Sequence, residues 1–453
     1  MRRFTIVCAG LTFAAFATFA TGASAQGPAA PPAPWRGAGP TPCVGADGGV
    51  FSCPPAPKSI VIRAGHLFDS KSGQMLANQV VVIQGDRIVD VGAASAVKIP
   101  AGAEVIDLSR SYVLPGLIDA HTHMFNSRNA KMTAESSMLI AVQNVTADLR
   151  AGFTSARDMS SHGNGYGDVV MRDAINQGRI DGPRYQVSTL GIRWSGDSAA
   201  SRDRNPLEST VVANADEARK AVRDQVAGGA DWIKLFPGGA YSFNATGEAQ
   251  YVTTYPLPVL QALIDETHRL GKKAGCHVFG GTGLQNTIDA GCDTVEHAYG
   301  LTKAQAEQIA AKKLFYDPTL QRYIEPYMDD NDTRNTGGKF RMIPIFENAV
   351  RTADHVKGVK IMMGSGADGS TYAHGTQALD FEMLVTRAGL STVKALQAGT
   401  IVNAEALGWL DQVGSIDKGK FADVIAVPAD PVADITQLKH VTFVMKGGKV
   451  VVR

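Results

Sequence analysis

The stretch Val113-Leu114-Pro115-Gly116-Leu117-Ile118-Asp119-Ala120-His121-Thr122-His123 constrains this chain more than any other. It is apolar for most of its length and ends in a His-x-His pair. Side chains alternate faces along a strand, so His121 and His123 point the same way. A strand that is apolar on both faces suits the interior of a parallel sheet. Imidazoles at the C-terminal end of such a strand are the beginning of a metal site. A hairpin edge with two exposed histidines is the plainer alternative, and the rest of the chain decides between them.

At 453 residues, with 44% hydrophobic and 19% charged residues, the chain can bury the core of a large barrel with an added module. The formal charge of +1 and the lack of any basic run give no footprint for nucleic acid. The N-terminus reads as an export signal. Arg2 and Arg3 precede an uncharged apolar run, and Ala23-Ser24-Ala25 forms a small-residue cleavage site. The reading is a leader over 1–25, no stable membrane anchor after cleavage, and a periplasmic or secreted product. An uncleaved anchor is the competing reading. Residues 26–58 are rich in Pro, Gly and Ala and read as a flexible arm, with Cys43 and Cys53 placed to close a small loop as a disulfide. Cys276 and Cys292 fall in core segments and read as buried free thiols.

Short strand-like runs over 59–63, 79–84, 87–91 and 104–107 form a small β unit, expected to span 59–112. Its partner lies at the far end, over 411–453, where 422–427, 442–446 and 449–452 read as strands and Gly447-Gly448 as a hairpin turn. The two ends are therefore expected to assemble one β-sandwich. Between them, over 113–410, strand and helix alternate. Strands are predicted at 153–157, 184–189, 232–236, 273–279, 294–298, 314–319 and 359–364. Together with the opening strand these make eight βα units in about 290 residues, which points to a (β/α)8 TIM barrel, with a doubly wound sheet as the runner-up. Helical patterns include 215–226, 258–270 and 303–312. Two polar, poorly periodic stretches, 194–209 and 327–339, are placed over the barrel mouth.

Active sites of such barrels lie at the C-terminal ends of the strands. There the chain carries His121 and His123, then Lys234, His277, His297 and Asp368. A lone core histidine is usually satisfied by a hydrogen bond, and a lone buried lysine usually snorkels. Six such residues at one mouth point instead to metal chemistry. Imidazole and carboxylate bind divalent ions. Two ions need a bridging anion, which a lysine carboxylated by carbon dioxide supplies when its pocket depresses the amine pKa.

These motifs resemble a known family. Leu114-Pro115-Gly116-Leu117-Ile118-Asp119-Ala120-His121-Thr122-His123 is similar to the opening motif of the amidohydrolase superfamily. So are Trp232-Ile233-Lys234, Cys276-His277, Val295-Glu296-His297-Ala298 and Gly364-Ser365-Gly366-Ala367-Asp368, along with the tail Gly414-Ser415-Ile416-Asp417-Lys418-Gly419-Lys420-Phe421-Ala422-Asp423-Val424. The likeness runs from about Ser59 onward. The lysine form and the tail resemble the imidazolonepropionase-related branch, which includes Xaa-Pro dipeptidases and ochratoxin-hydrolysing amidases. The resemblance implies two divalent ions, expected to be zinc. His121, His123, Lys234 and Asp368 would hold one, and N6-carboxylated Lys234, His277 and His297 the other. It also implies attack of a metal-bridging hydroxide on an amide carbonyl, with Asp368 as general base and acid.

The chain departs from the prolidases of this branch at two places. A Gly-His pair is expected after the third strand, where this chain reads Gly191-Ile192-Arg193-Trp194-Ser195-Gly196-Asp197. A tyrosine is expected two residues after the fifth-strand histidine, where Phe279 stands. Both groups help to grip a substrate carboxylate in the relatives, so their absence speaks against strict prolidase activity. Arg193, Arg322 and Tyr323 are candidate replacements, and Trp194, Phe279 and Tyr316 are candidate walls of an apolar pocket. His374 either stacks near the site or caps the following helix. His162 and Tyr166 read as cover for the rim. The expected function is an exported binuclear amidohydrolase that acts on a dipeptide-like or N-acyl amino acid substrate, and a homo-oligomer is expected. Hydrolysis of a cyclic amide, lactone or other ester is the enzymatic alternative, and a non-catalytic metal-dependent binding protein is the other.

Overall fold

The computed structural model describes residues 59–126, 132–197, 206–324 and 342–453, with a short antiparallel pair, Cys43–Val44 against Val50–Phe51. The leader, Cys53 with its expected bridge, and the loop 327–339 lie outside the described residues.

The two ends of the chain meet in one seven-stranded sheet. Its order is Lys449–Val452, Phe443–Lys446, Val424–Val427, Glu104–Pro115, Ile60–Asp69, Gln74–Gln84 and Arg87–Ala93. Both faces of the sheet are buried: Ile62, Val81, Ile106, Val424 and Met445 pack into one core, and Val61, Val80 and Val82 into another. Gly447 and Gly448, at φ 54° and 74°, make the two-residue turn between the last strands, a backbone that glycine adopts without strain.

The apolar stretch from Val113 to His123 is not one strand. Val113 and Leu114 pair with Ala426 and Ile425 in the terminal sheet, three residues beyond the expected boundary, whereas Leu117–Thr122 opens the barrel. The change of sheet falls at Gly116, where a Cβ would lie 2.0 Å from Thr154 Oγ1. The barrel then runs through Phe153–Asp158, Arg184–Val187, Trp232–Leu235, Lys273–Val278, Thr294–His297, Phe315–Asp317 and Lys360–Ile361. All ladders among these strands are parallel. The His123 amide donates to the Ala367 carbonyl at 2.7 Å and the Gly366 amide to the His121 carbonyl at 2.6 Å, which closes the last strand onto the first.

The helices form as their patterns dictate. Ala215–Ala227 starts where the Asn214 side chain accepts from the Glu217 amide, and it buries Ala218, Ala221, Val222 and Gln225 on one stripe. Lys303–Ala311 begins with a capping box between Thr302 and Gln305. Two additions have no counterpart in the expected order: the parallel strands Gly191–Trp194 and Ser209–Val212 after the third barrel strand, of which Gly191–Trp194 pairs with the fourth through Ile192 and Leu235, and an antiparallel hairpin, Gly238–Phe243 with Ala249–Thr253, after the fourth.

The cysteines require a correction. Cys276 and Cys292 are both fully buried, but they are bonded to each other, with Cα atoms 6.4 Å apart. Strand alternation turns Cys276 away from His277 and into the core that also holds Leu260, Leu263 and Cys292. The helix Gly281–Ala290 ends in a left-handed Gly291, φ 80°, and returns the chain to the same place one βα unit later.

Candidate metal centre

His121, His123, Lys234, His277 and His297 line one pocket of about 140 Å³ at the C-terminal ends of the barrel strands. Ring centroids of His277 and His297 are 4.5 Å apart, those of His121 and His297 5.1 Å, and those of His121 and His123 5.4 Å.

Three of these imidazoles are fixed from behind. His121 Nδ1 lies 2.7 Å from Glu296 Oε2. Arg157 donates to the other Glu296 oxygen at 2.9 Å, and both partners are fully buried. Although burial opposes its charge, the positive groups around Glu296 hold its carboxyl well below the usual range. Nδ1 of His121 is therefore the donor, and Nε2 keeps its lone pair. His123 Nδ1 donates to the Ser160 carbonyl at 3.1 Å. His297 Nδ1 donates to the Thr319 hydroxyl, which itself donates to the Pro318 carbonyl. His297 Nε2 is buried with no hydrogen-bond partner among the described residues. Such an atom is costly unless something bonds it. Backing by a carboxylate, carbonyl or hydroxyl is how metal-bound histidines are oriented.

Burial pushes His121 down to about 3 and His123, His277 and His297 well below the ordinary histidine value, so all four rings are neutral near pH 7. Lys234 is 2% exposed between Ile233 and Leu235, and burial lowers its amine to about 8. Neutral imidazoles, an orphaned Nε2 and a lysine with depressed basicity fit divalent ions such as zinc. His297 and Ala298 take positive φ, 72° and 42°, a strained conformation for non-glycine residues at a strand end. A second group of donors, His121, Glu296 and Asp317, gathers on the Nδ1 side of His121 within 4.8 Å. Within it Arg157 neutralises Glu296, and Glu296 is the member that bonds His121.

Asp368 is 1% exposed at the same end of the barrel. Its Oδ1 accepts from the amides of Ser370 and Thr371 at 2.9 and 2.7 Å, and its Oδ2 accepts from Arg322 at 2.5 Å. Arg193, Arg322 and Tyr323 line the pocket. Arg193 donates to Asp197 at 3.1 Å and lies 3.7 Å above the Phe236 ring.

The other expected contacts stand back from the pocket. Trp194 packs beside Tyr255, with centroids 6.5 Å apart. Tyr316 is fully buried and donates to the His297 carbonyl at 3.1 Å. Phe279 backs His277 and Tyr299, at 4.7 and 4.8 Å. His374 neither caps the following helix nor stacks on the site; its Nδ1 bonds Asp148, on the helix Ala134–Arg150, at 2.9 Å. Residues that the sequence reading left out of the pocket line it as well. Ser160, Glu208 and Phe236 do so, and His162, placed on the rim, stacks on His123 at 3.9 Å. The Gly-rich loop after the second strand was the signal for His162.

Known proteins resemble this chain in sequence and fold. The model of the amidohydrolase family matches residues 112–451. Ochratoxinase from Aspergillus niger is 28% identical over 433 residues, 86% of each chain. A crystal structure of a Xaa-Pro dipeptidase with methionine bound in the active site superposes with a TM-score of 0.76 at 28% identity, covering 87% of this chain and all of that one. A prolidase complexed with N-methylphosphonate-L-proline gives 0.75 at 25% identity, with 87% of this chain and 100% of that one covered. With its barrel, its terminal β unit and its cluster of strand-end histidines, this chain belongs to the amidohydrolase family and is a hydrolase of carbon–nitrogen bonds.

Proposed function

We propose that this is an exported binuclear metalloenzyme that hydrolyses the amide bond of a dipeptide-like or N-acyl amino acid substrate. The observation that carries this reading is the convergence of four neutral imidazoles and Lys234 on one pocket, with His297 Nε2 buried and unbonded. His121, His123, Lys234 and Asp368 would hold one ion, and Lys234, His277 and His297 the other. When bound, the ions would polarise the scissile carbonyl and acidify a water. The lowered basicity of Lys234 favours addition of its unprotonated amine to carbon dioxide, which forms an N–C bond and releases a proton, and the resulting carboxylate would supply oxygen donors to the ions. Asp368 takes the proton of the attacking water and delivers it to the leaving nitrogen. Arg193 and Arg322 offer cationic forks for a substrate carboxylate, and the names of the relatives, a dipeptidase, a prolidase and an ochratoxinase, accord with an amide next to such a group. The buried Cys276–Cys292 bond suits an oxidising compartment and so supports export.

Metal analysis of zinc-supplemented protein combined with a panel of N-acyl amino acids tests this. Bound metal and turnover of the panel are expected. Turnover confined to lactones or other esters would transfer the site to the alternative chemistry, and metal with no turnover would make it a binding protein.

A further inference from the structure

Asp368, which the proposed reaction needs at the ions, is engaged elsewhere in this structure. Both of its oxygens are occupied, Oδ1 by the Ser370 and Thr371 amides and Oδ2 by the Arg322 guanidinium and, at 3.2 Å, by the Thr371 hydroxyl. Arg322 also donates to the Thr371 hydroxyl. The pair is asymmetric. Arg322 lines the pocket with 28% of its side chain exposed, whereas the Asp368 side chain is 1% exposed behind it. The backbone is shaped for this approach. Arg322 stands on the helix Leu320–Ile324, directly after the seventh barrel strand, and its stem crosses Gly366. A Cβ at Gly366 would lie 2.8 Å from Arg322 Cβ and 3.1 Å from its Cγ, and Gly366 has φ 68°.

We infer that Arg322 is a latch that couples metal loading to substrate recognition. It holds the Asp368 carboxylate until a divalent cation competes for it, and the released guanidinium then takes the carboxylate of the substrate. This rests on the proposed role of Asp368 at the ions. A buried carboxylate must keep a cationic or hydrogen-bonding partner, so Asp368 exchanges one cation for another. The freed fork of Arg322 matches a substrate carboxylate with two parallel hydrogen bonds. Arg193, across the pocket, does not compete for Asp368: it is held by Asp197 and by the Phe236 ring. Arg322 is thus a positioning residue for Asp368 in one state and a specificity-determining residue in the other.

The test is zinc competition against a chromophoric chelator, on metal-stripped wild type, Arg322→Gln, Arg322→Lys, Asp368→Asn and the Arg322→Gln/Asp368→Asn double variant. Losing a charge-assisted bond to Asp368 should tighten zinc binding about tenfold in Arg322→Gln. The same substitution should change affinity less than about twofold once Asp368 is Asn, because the two residues then no longer couple. Arg322→Lys, which keeps the charge but loses the fork, should fall between. An equal gain in both backgrounds would show that removal of positive charge alone acts, and would overturn the latch. A wild type that binds no zinc would overturn the reading of the site itself, so the two failures are distinct. With an N-acyl amino acid and its carboxamide, Arg322→Gln should raise KM for the acid alone. Equal losses on both would overturn the recognition half.

Discussion

The floor and the rim of the pocket handle their polar groups differently. On the floor, His121, His123 and His297 are each backed by a group that strand geometry places: Glu296, the Ser160 carbonyl and Thr319. Each ring has one tautomer and one direction. On the rim, Arg193 and Arg322 are held by the carboxylates of Asp197 and Asp368, through long side chains that can change partners. A floor built from strand ends fixes the chemistry and leaves little to adjust. A rim whose charges sit at the tips of long arginine side chains, on the strand Gly191–Trp194 and the short helix Leu320–Ile324, can be retuned without disturbing that floor.

The comparison can be broken from the floor first. Lys234→Ala should remove bound metal and lower kcat/KM by about a thousandfold or more, a loss on the scale of one metal or oxyanion contact; a kinetic assay with metal analysis checks it. Glu296→Gln should leave Arg157 buried without its counter-charge and cost about 3–5 kcal/mol in denaturant unfolding. Replacing Cys276 and Cys292 together by Ser should cost about 3 kcal/mol, as expected for a loop of this length, and leave metal content unchanged, because the bond faces the helix layer and not the pocket. Thermal unfolding and the count of titratable thiols check this. On the rim, Arg193→Met should raise KM about tenfold, the worth of one carboxylate contact, with metal content unchanged. The smallest effect lies outside both regions. Hydrogen bonds from Arg269 and Arg223 lower Glu266 to about 2, against 4.5 for a free carboxyl. Its contribution is present above pH 4.5 and is lost as pH falls toward about 2. Glu266→Gln should therefore flatten the acid-side slope of stability and leave neutral pH almost unchanged.

The barrel strands were legible because each combines an apolar run with turn residues, and the convergence of His121, His123, Lys234, His277 and His297 because they sit at matching strand ends. Parity decided what was not. Arg193 faces the pocket, so Trp194, one residue on, faces the other way and packs on Tyr255. Tyr316 is turned out of the pocket, and its hydroxyl supports the strand of His297. The same alternation places Cys276 behind His277, and the sequence could not show that one βα unit brings Cys292 back to it. The opening apolar stretch reads as a single strand because periodicity cannot mark the change of sheet at Gly116; the change of ladder partner, from Ile425 at Leu114 to Phe153 at Leu117, reveals it. The hairpin after the fourth strand did carry a signal, alternating Tyr241 and Phe243 before a turn at Gly247, but it was masked by the expectation that a helix follows each strand.

The central claim is that the floor holds two ions. Anomalous diffraction at the zinc absorption edge, from crystals of zinc-loaded protein, tests it most directly. The account predicts two peaks about 3.5–4 Å apart, one beside His121 and His123 and the other beside His277 and His297, with density joining them at Lys234. A single peak among His121, Glu296 and Asp317, or no peak in the pocket, would contradict it.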